Sequence, residues 1–237
     1  MTRLCGATDT ASVNGGEYIA QNNIWGAQTS QRITVDGKSF AVDAAAHDNS
    51  TNGAPAAYPS LLKGCHWGRC TTGGGLPVQV DDMPSVTSDW TTTVPDSGVY
   101  NVAYDLWYNT TPTTTGAPDG AEMMIWLDHR GPVQLAGTRV AGGVRIAGAT
   151  WDVWTVRMDW SYIAYVRTSG TTSVDDLDLR AFTRDAVAHG SVGADWYLIT
   201  AEAGFELWQG GTGLTTDSFS IETDATGGRT ARSEPSS

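Results

Sequence analysis

Alternation of apolar and polar residues with a period of two dominates this chain and predicts β-strands. Turn-forming pairs such as Asp36-Gly37 and Gly142-Gly143 separate the alternating runs. The predicted strand segments are residues 18–25, 32–42, 86–94, 98–108, 121–128, 138–146, 150–157, 160–168, 196–208 and 218–222. Strands at this spacing predict an all-β sandwich or jelly roll built from antiparallel sheets.

Residues 176–190 have a helical rather than a strand period. The apolar residues recurring there are Leu179, Phe182, Ala186 and Val187. Asp176 or Ser173 could cap the start, and Gly190 could end the segment. We therefore expect one amphipathic helix packed against the outside of a sheet.

Length and charge narrow the class of protein. A chain of 237 residues suits one all-β domain, predicted over residues 1–222. Residues 223–237 are rich in Thr, Gly, Ser and charge, which predicts a disordered tail or linker stub. The formal charge of −12 disfavours nucleic acid and anionic membrane as partners, whereas a neutral polysaccharide fits.

No apolar run approaches the roughly 18 residues that predict a membrane span. Met1 directly precedes polar sequence, so no secretory signal is visible. We expect a secreted, extracellular protein whose signal peptide is absent from this sequence, and we expect a monomer.

The three cysteines bear on the compartment. Cys65 and Cys70 bracket a short glycine-containing loop, which predicts a disulfide and an oxidising environment. A zinc knuckle that uses His66 is the alternative, but no second ligand pair accompanies it. Cys5 has no obvious partner. Nothing in the sequence implies a metal or another cofactor.

Alternation in residues 121–128 places Met123, Ile125 and Leu127 on one face of a strand. The opposite face carries a carboxylate, a thioether, an indole and a second carboxylate, from Glu122, Met124, Trp126 and Asp128. This mixture is not typical of a hydrophobic core and suggests the base of a cleft.

Two other segments have the same division. In residues 196–208 the predicted core face is Tyr197, Ile199, Ala201, Ala203, Phe205 and Leu207, and the other face is Thr200, Glu202, Gly204, Glu206 and Trp208. In residues 98–108, Tyr100, Val102, Tyr104 and Leu106 oppose Asn101, Asp105 and Trp107. If these faces share one sheet, several carboxylates meet among indoles.

Such a group of residues suits glycoside hydrolysis. Cleavage of an acetal needs an acid to protonate the leaving oxygen and a carboxylate to meet the oxocarbenium-like carbon. Carboxylates exposed to water on an ordinary outer sheet face are the alternative, and alternation alone leaves both open.

Six motifs occur in an order that resembles glycoside hydrolase family 12, and most closely its bacterial cellulases: Asn22-Asn23-Ile24-Trp25-Gly26, Tyr58-Pro59-Ser60, Gly64-Cys65-His66-Trp67, Ala103-Tyr104-Asp105-Leu106-Trp107, Glu122-Met123-Met124-Ile125-Trp126-Leu127 and Gly204-Phe205-Glu206-Leu207-Trp208. The resemblance extends over about residues 5–222. It implies a concanavalin-like β-jelly roll of two antiparallel sheets with a long open substrate cleft. It also implies an endo-β-1,4-glucanase that hydrolyses β-1,4-glucans with retention of configuration.

The resemblance also implies roles for individual residues. Glu122 falls on the position of the family's nucleophile and Glu206 on that of its acid/base. Asp105 falls on an aspartate that would hydrogen-bond near the nucleophile and tune its ionisation.

Positions that contact substrate follow from the same resemblance. Asn23 and Trp25, which share one face of the predicted strand, match positions that hold sugars on the non-reducing side. Met124 and Trp126 match the base of the cleft, and Pro132 resembles a segment of its wall. His66 has either a structural role or a sugar contact.

Other residues of interest receive no site role. Glu202 is expected in the cleft without a defined function. The remaining tryptophans of the second half are expected in the core or at the rim, namely Trp151, Trp154, Trp160 and Trp196.

The chain departs from the family pattern in two places. Arg32 stands where the partner of the first cysteine would be, which predicts that Cys5 is a free thiol. Thr8 replaces an aromatic residue, which puts a distal sugar-stacking site in doubt.

Two further functions remain open at this point. A related polymer such as xyloglucan, mixed-linkage glucan or xylan could be the preferred substrate. A non-catalytic carbohydrate-binding module could also use this fold, but it would not need two glutamates on cleft faces.

Overall fold

Two β-sheets packed face to face form the framework of residues 1–223, which are the residues that the computed structural model of the chain describes. The elements are numbered in chain order. The smaller sheet has six antiparallel strands in the spatial order β1 (Thr2–Leu4), β4 (Gln31–Asp36), β5 (Ser39–Ala45), β18 (Thr215–Thr223), β9 (Val86–Thr93) and β15 (Ser173–Asp178).

The larger sheet has twelve strands and carries the candidate chemistry. Its main spatial order is β12 (Thr138–Ile146), β13 (Ala149–Arg157), β14 (Ser161–Arg167), β11 (Ala121–Arg130), β10 (Val99–Asn109), β16 (Tyr197–Gly204), β6 (Ser60–His66), β3 (Tyr18–Gln21) and β2 (Thr10–Val13). Three short strands pair with it, namely β17 (Leu207–Gln209) with β10, β7 (Arg69–Cys70) with β6 and β8 (Val78–Gln79) with β16. Strands β11 and β14 are parallel, and the other pairs are antiparallel.

Aromatic side chains fill the space between the sheets. Trp90 of the smaller sheet is fully buried, and its ring centroid lies 4.9 Å from that of Tyr104 and 6.0 Å from that of Phe205. Each such side chain contributes about 1.5–3 kcal/mol through burial. The predicted inward faces of β10 and β11 are confirmed, because Tyr104, Ile125 and their alternate neighbours all lie in this core. The predicted all-β jelly roll with two packed sheets is confirmed.

The predicted helix is confirmed as α1 (Leu179–Ala188), with a different cap and position. The carboxylate of Asp178 accepts a hydrogen bond from the backbone N–H of Ala181 at 3.0 Å and so caps the first turn. Ser173 and Asp176, the predicted caps, belong to β15 instead. Phe182 packs on the inner face of the larger sheet, in the main core, so the predicted outer position was wrong.

A β-bulge changes which residues of β16 face the core. Trp107 pairs with Thr200, but the next residue of β10 pairs with Leu198, so Ile199 is the extra residue. Leu198 therefore enters the core in place of Tyr197 and Ile199, which simple alternation had assigned to it.

Several strand boundaries differ from the predicted segments. Strand β3 ends at Gln21, residues 32–42 form a hairpin that turns at Gly37, and residues 196–208 divide into β16 and β17. Strand β6 was not predicted, because all seven of its residues are buried and show no alternation. Strand β18 continues to Thr223, and residues 224–237 of the predicted tail lie outside the described residues.

The predicted disulfide is present. Cys65 and Cys70 face each other in the hairpin formed by β6 and β7 and are joined, whereas Cys5 is exposed and free. The zinc knuckle is excluded because both sulfur atoms are engaged. Within residues 1–223 no helix is long and apolar enough to cross a bilayer.

This pairing predicts one reactive thiol per chain. When the protein is denatured without a reductant, a thiol titration should detect one reactive thiol per chain, that of Cys5. Cys5→Ser should release none, and it should keep the fold because the residue is exposed. Three equivalents from the unreduced wild-type protein would contradict the assigned disulfide.

Candidate active site

A cleft of about 270 Å³ lies on the face of the larger sheet that points away from the core. Its carboxyl groups come from Asp105, Glu122 and Glu206. The other residues that line it are Asn23, Trp25, Tyr58, His66, Trp67, Trp107, Met124 and Trp160. Three neighbouring strands, β11, β10 and β16 with its following turn, thus bring distant carboxyl groups into one space.

Glu122 projects from β11 next to two indoles. Trp160 Nε1 donates a hydrogen bond to Glu122 Oε2 at 2.7 Å, and Trp107 is the residue opposite Glu122 on β10. Burial raises the pKa of Glu122 to about 7, although the Trp160 hydrogen bond and the nearby His66 lower the pKa in part. The side chain therefore ionises close to neutral pH.

Glu206 lies in the turn between β16 and β17. Its backbone N–H donates to Asn101 Oδ1 at 2.9 Å, and Asn101 Nδ2 donates to Glu206 Oε2. The turn needs Gly204, since a Cβ there would lie 2.3 Å from the carbonyl oxygen of Pro59. Burial and the negative charge of Glu122 raise the pKa of Glu206 to about 8, while the Asn101 hydrogen bond lowers it in part.

Asp105 lies between the other two carboxyl groups and is buried. Trp107 Nε1 donates to Asp105 Oδ2 at 2.8 Å, while Oδ1 has no partner among the described residues. Burial first, and then repulsion from Glu122 and Glu202, raises the pKa of Asp105 well above its usual range. A raised pKa favours the protonated form of Asp105, and a protonated carboxyl group can donate a hydrogen bond.

A fourth carboxyl group, that of Glu202, lies beneath the cleft with no exposed surface. Its Oε1 contacts His66 Nδ1, and its Oε2 accepts hydrogen bonds from Gln21 Nε2 at 2.8 Å and Ser60 Oγ at 3.0 Å. His66 itself lines the cleft. Both roles left open for His66 are therefore compatible with its position.

Indoles surround the carboxyl groups. Trp25 is 56% exposed and Trp67 is 53% exposed, an uncommon state for so large an apolar side chain. Trp107 and Trp160 lie deeper, with their ring centroids 5.3 Å apart. Flat aromatic faces beside carboxyl groups can hold the apolar faces of sugar rings next to an acid and a nucleophile.

Some of the predicted substrate-binding residues line the cleft described above and others do not. Met124, Asn23 and Trp25 line the cleft, although the two latter residues lie beyond β3, and Asn23 has a φ of 44°. The shared strand face that predicted their pairing does not exist. Trp126 is buried in a cluster with Trp208 and the cleft residue Met124, and Pro132 is exposed on the loop that follows β11; neither borders the space described above, and their substrate contacts stay predictions.

The sequence interpretation missed two contacts of the candidate catalytic groups. Trp160 was expected in the core or at the rim, but it donates a hydrogen bond to Glu122. Its position follows from the parallel pairing of β14 with β11, which sequence alternation does not reveal. Asn101 was placed on the correct strand face, yet its two hydrogen bonds to Glu206 depend on a residue more than a hundred positions away.

Comparison with known proteins gives one consistent family. The sequence model described as "Glycosyl hydrolase family 12" matches residues 16–224. Endoglucanase S of Pectobacterium parmentieri is 31% identical over 85% of this chain and 80% of its own length. The xyloglucan-specific endo-β-1,4-glucanase A of Aspergillus aculeatus is 27% identical over 92% of this chain and 90% of its own length.

A solved structure gives the same result. Endoglucanase Cel12A from Rhodothermus marinus superposes with a TM-score of 0.89 and 46% identity, over 94% of this chain and all of the other.

The raised pKa of Glu206 predicts how its replacement changes stability with pH. A carboxyl group whose pKa is higher in the folded than in the unfolded state destabilises the fold at pH values above the unfolded pKa of about 4.3, because the unfolded chain ionises more easily. Below that pH the group is protonated in both states and has no such effect. Glu206→Gln should therefore increase the free energy of unfolding at pH 7, on the order of 1–2 kcal/mol, and leave it nearly unchanged at pH 4.

Denaturant unfolding at the two pH values measures this difference. Glu222→Gln, at an exposed glutamate of β18, is the matched control and should show no such pH dependence. Equal effects of Glu206→Gln at both pH values would contradict the raised pKa.

Proposed function

Because the chain belongs to glycosyl hydrolase family 12, as the match over residues 16–224 shows, we propose that it is an endo-acting, retaining β-1,4-glucanase with Glu122 as nucleophile and Glu206 as general acid/base. That it is a glycoside hydrolase acting on β-glucans follows from the family. The observation that carries the finer assignment is the pair of carboxyl groups in one cleft, with pKa values of about 7 and about 8.

The causes of the two pKa shifts support the division of roles. A hydrogen bond from Trp160 and the nearby His66 lower the pKa of Glu122, whereas the charge of Glu122 raises the pKa of Glu206. The group that loses its proton first, Glu122, is available as the carboxylate that attacks the anomeric carbon. The group that keeps its proton longer, Glu206, can protonate the leaving oxygen. The two groups titrate as a pair, since the charge of one raises the pKa of the other.

The second half of the reaction reverses the role of Glu206. When Glu122 forms the glycosyl ester its negative charge disappears, and with it one cause of the raised pKa of Glu206. Glu206 then loses its proton more easily and takes a proton from the attacking water. One residue thus acts as acid and then as base.

Two neighbours support Glu122 during this cycle. The hydrogen bond from Trp160 stabilises the carboxylate before attack. Protonated Asp105, whose Oδ1 is without a partner among the described residues, is the donor that we assign to the nucleophile. Both contacts favour a charge that is present in the free enzyme and is consumed in the ester.

The substrate that we propose is cellulose and related unbranched β-glucan. Trp25 and Trp67 both line the cleft with exposed indoles, which suit the flat faces of glucose rings. Xyloglucan is the second candidate, because a relative with 27% identity bears that specificity in its name. Reducing-sugar release from carboxymethylcellulose, mixed-linkage glucan, xyloglucan and xylan, compared at equal enzyme concentration, decides between them.

We also propose that the protein works as a secreted monomer. The disulfide supports an oxidising compartment, and a polymer too large to enter a cell must be degraded outside it.

Removal of an exposed indole tests the proposed sugar site. Trp25→Ala should lower kcat/KM on cellopentaose about 3- to 10-fold, from loss of about 1 kcal/mol of aromatic contact, and should change cellobiose-sized activated substrates less. Trp196→Ala, on a partly buried tryptophan that packs against the main core, is the comparison variant. Unfolding of Trp25→Ala would indicate a structural indole and contradict the site.

The proposed roles predict different outcomes for the two glutamates. Glu122→Ala should lose nearly all activity on every substrate. Glu206→Ala should lose about 10²- to 10⁴-fold on polysaccharide but recover with azide on an aryl glycoside whose leaving group needs no acid. The product should be the β-glycosyl azide, identified by NMR.

An α-glycosyl azide would instead indicate inversion. In that case the carboxyl groups should be about 6.5–9.5 Å apart rather than the roughly 5–5.5 Å that we expect for Glu122 and Glu206, and the nucleophile assignment would be wrong.

A further inference from the structure

Beneath the cleft lies a buried polar cluster made of Glu202, His66, Gln21 and Ser60, which the reaction described above does not use. We propose that Glu202 is a positioning residue of this enzyme: its ion pair holds the imidazole of His66 as a cation beside Glu122 and so keeps the nucleophile ionised. This inference rests on the proposed role of Glu122.

The contacts of Glu202 are those of an ionised carboxylate. It has no exposed surface, so an unpaired charge there would be costly. Gln21 Nε2, Ser60 Oγ and His66 Nδ1 surround its two oxygens, and each of these atoms can donate a hydrogen bond. Because Nδ1 contacts Glu202, Nε2 is the ring nitrogen of His66 that remains available to groups in the cleft.

Packing connects the imidazole to the nucleophile. The His66 ring stacks on Trp107, with centroids 6.0 Å apart and an interplanar angle of 28°. Trp107 is the β10 residue opposite Glu122, and it packs against Trp160, which donates to Glu122. The imidazole is therefore held by two contacts, one from the Glu202 carboxylate to Nδ1 and one from the Trp107 indole to the ring face.

The charges around Glu122 are otherwise negative or neutral. Six ionisable groups act on Glu122 or are affected by it. They are Asp105 of β10, Glu202 of β16, Glu206 of the following turn, His66 of β6, Tyr162 of β14, and Tyr58, which precedes β6. Among the described residues that line the cleft, His66 alone can carry a positive charge. A site with this many carboxyl groups depends on that cation.

The effects of the two partners on Glu122 oppose each other. Attraction from His66 lowers the pKa of Glu122, repulsion from Glu202 raises it, and the effect of His66 is the larger. Glu202→Gln removes the carboxylate that holds the imidazole beside Glu122, so the attraction from His66 is lost along with the repulsion from Glu202. Losing both charges together should therefore leave Glu122 protonated up to a higher pH.

The test measures ionisation of the nucleophile alone. A 2-deoxy-2-fluoro cellobioside with a dinitrophenolate leaving group labels the nucleophile and needs no general acid, so its labelling rate against pH follows Glu122. In Glu202→Gln the midpoint should move to higher pH by about half to one unit. His66→Gln should move it at least as far, because the repulsion from Glu202 remains.

Two further variants separate charge from packing. The double variant should show the shift of Glu202→Gln with no addition, since both changes remove the same ion pair. Ser60→Ala disturbs the same buried cluster but keeps both charges, and its midpoint should equal that of the wild type. If Glu202→Gln does not fold, the single variants His66→Gln and Ser60→Ala still separate loss of charge from disturbed packing.

The outcomes are distinct. An unmoved midpoint in His66→Gln, or an equal shift in Ser60→Ala, overturns the role of Glu202 while the label still maps to Glu122. A label that peptide mapping finds on another residue overturns the proposed nucleophile itself.

Discussion

Repulsion among carboxyl groups in a space poor in water is the constraint on which this site depends. Asp105, Glu122 and Glu202 lie on three adjacent strands, and Glu206 follows the third. Neighbouring strands are about 4.8 Å apart, so these groups cannot all be ionised near neutral pH. Their partners differ, with indoles beside Asp105 and Glu122, an amide beside Glu206 and an imidazole beside the fourth, and these partners influence which group keeps its proton.

The same alternation that buries the core directs these carboxyl groups into the cleft. Met123 is buried next to Glu122, and Phe205 is buried next to Glu206. A shift of one residue in β11 would exchange the core side chain of Met123 for the carboxyl group of Glu122. The cost of burying that charge fixes the register, so the stability of the sandwich and the placement of the candidate nucleophile have one physical origin.

Sequence reasoning succeeded where one strand determines the outcome and failed where several are needed. Alternation correctly predicted the inward residues of β10 and β11, but the bulge at Ile199 reversed it locally. Strand β6, buried on both faces, left no periodic signal. Trp160 and the partners of Glu202 come together only through strand pairing, which is set by tertiary packing. The identity of the catalytic pair came from motif resemblance, because alternation alone left exposed carboxylates equally acceptable.

A neutral polymer is not attracted electrostatically to this acidic chain. Its affinity must therefore come from short-range contacts and from a preorganised binding surface. Trp67 fits this requirement. It is exposed, it lies in the hairpin closed by Cys65 and Cys70, and it has a φ of 48°, a conformation that bulky residues seldom adopt. The ring centroid of Trp67 also lies 6.3 Å from that of Trp107. An indole held in this way would lose little entropy on contact with a sugar ring, so the disulfide hairpin suits the sugar contact that we propose for Trp67.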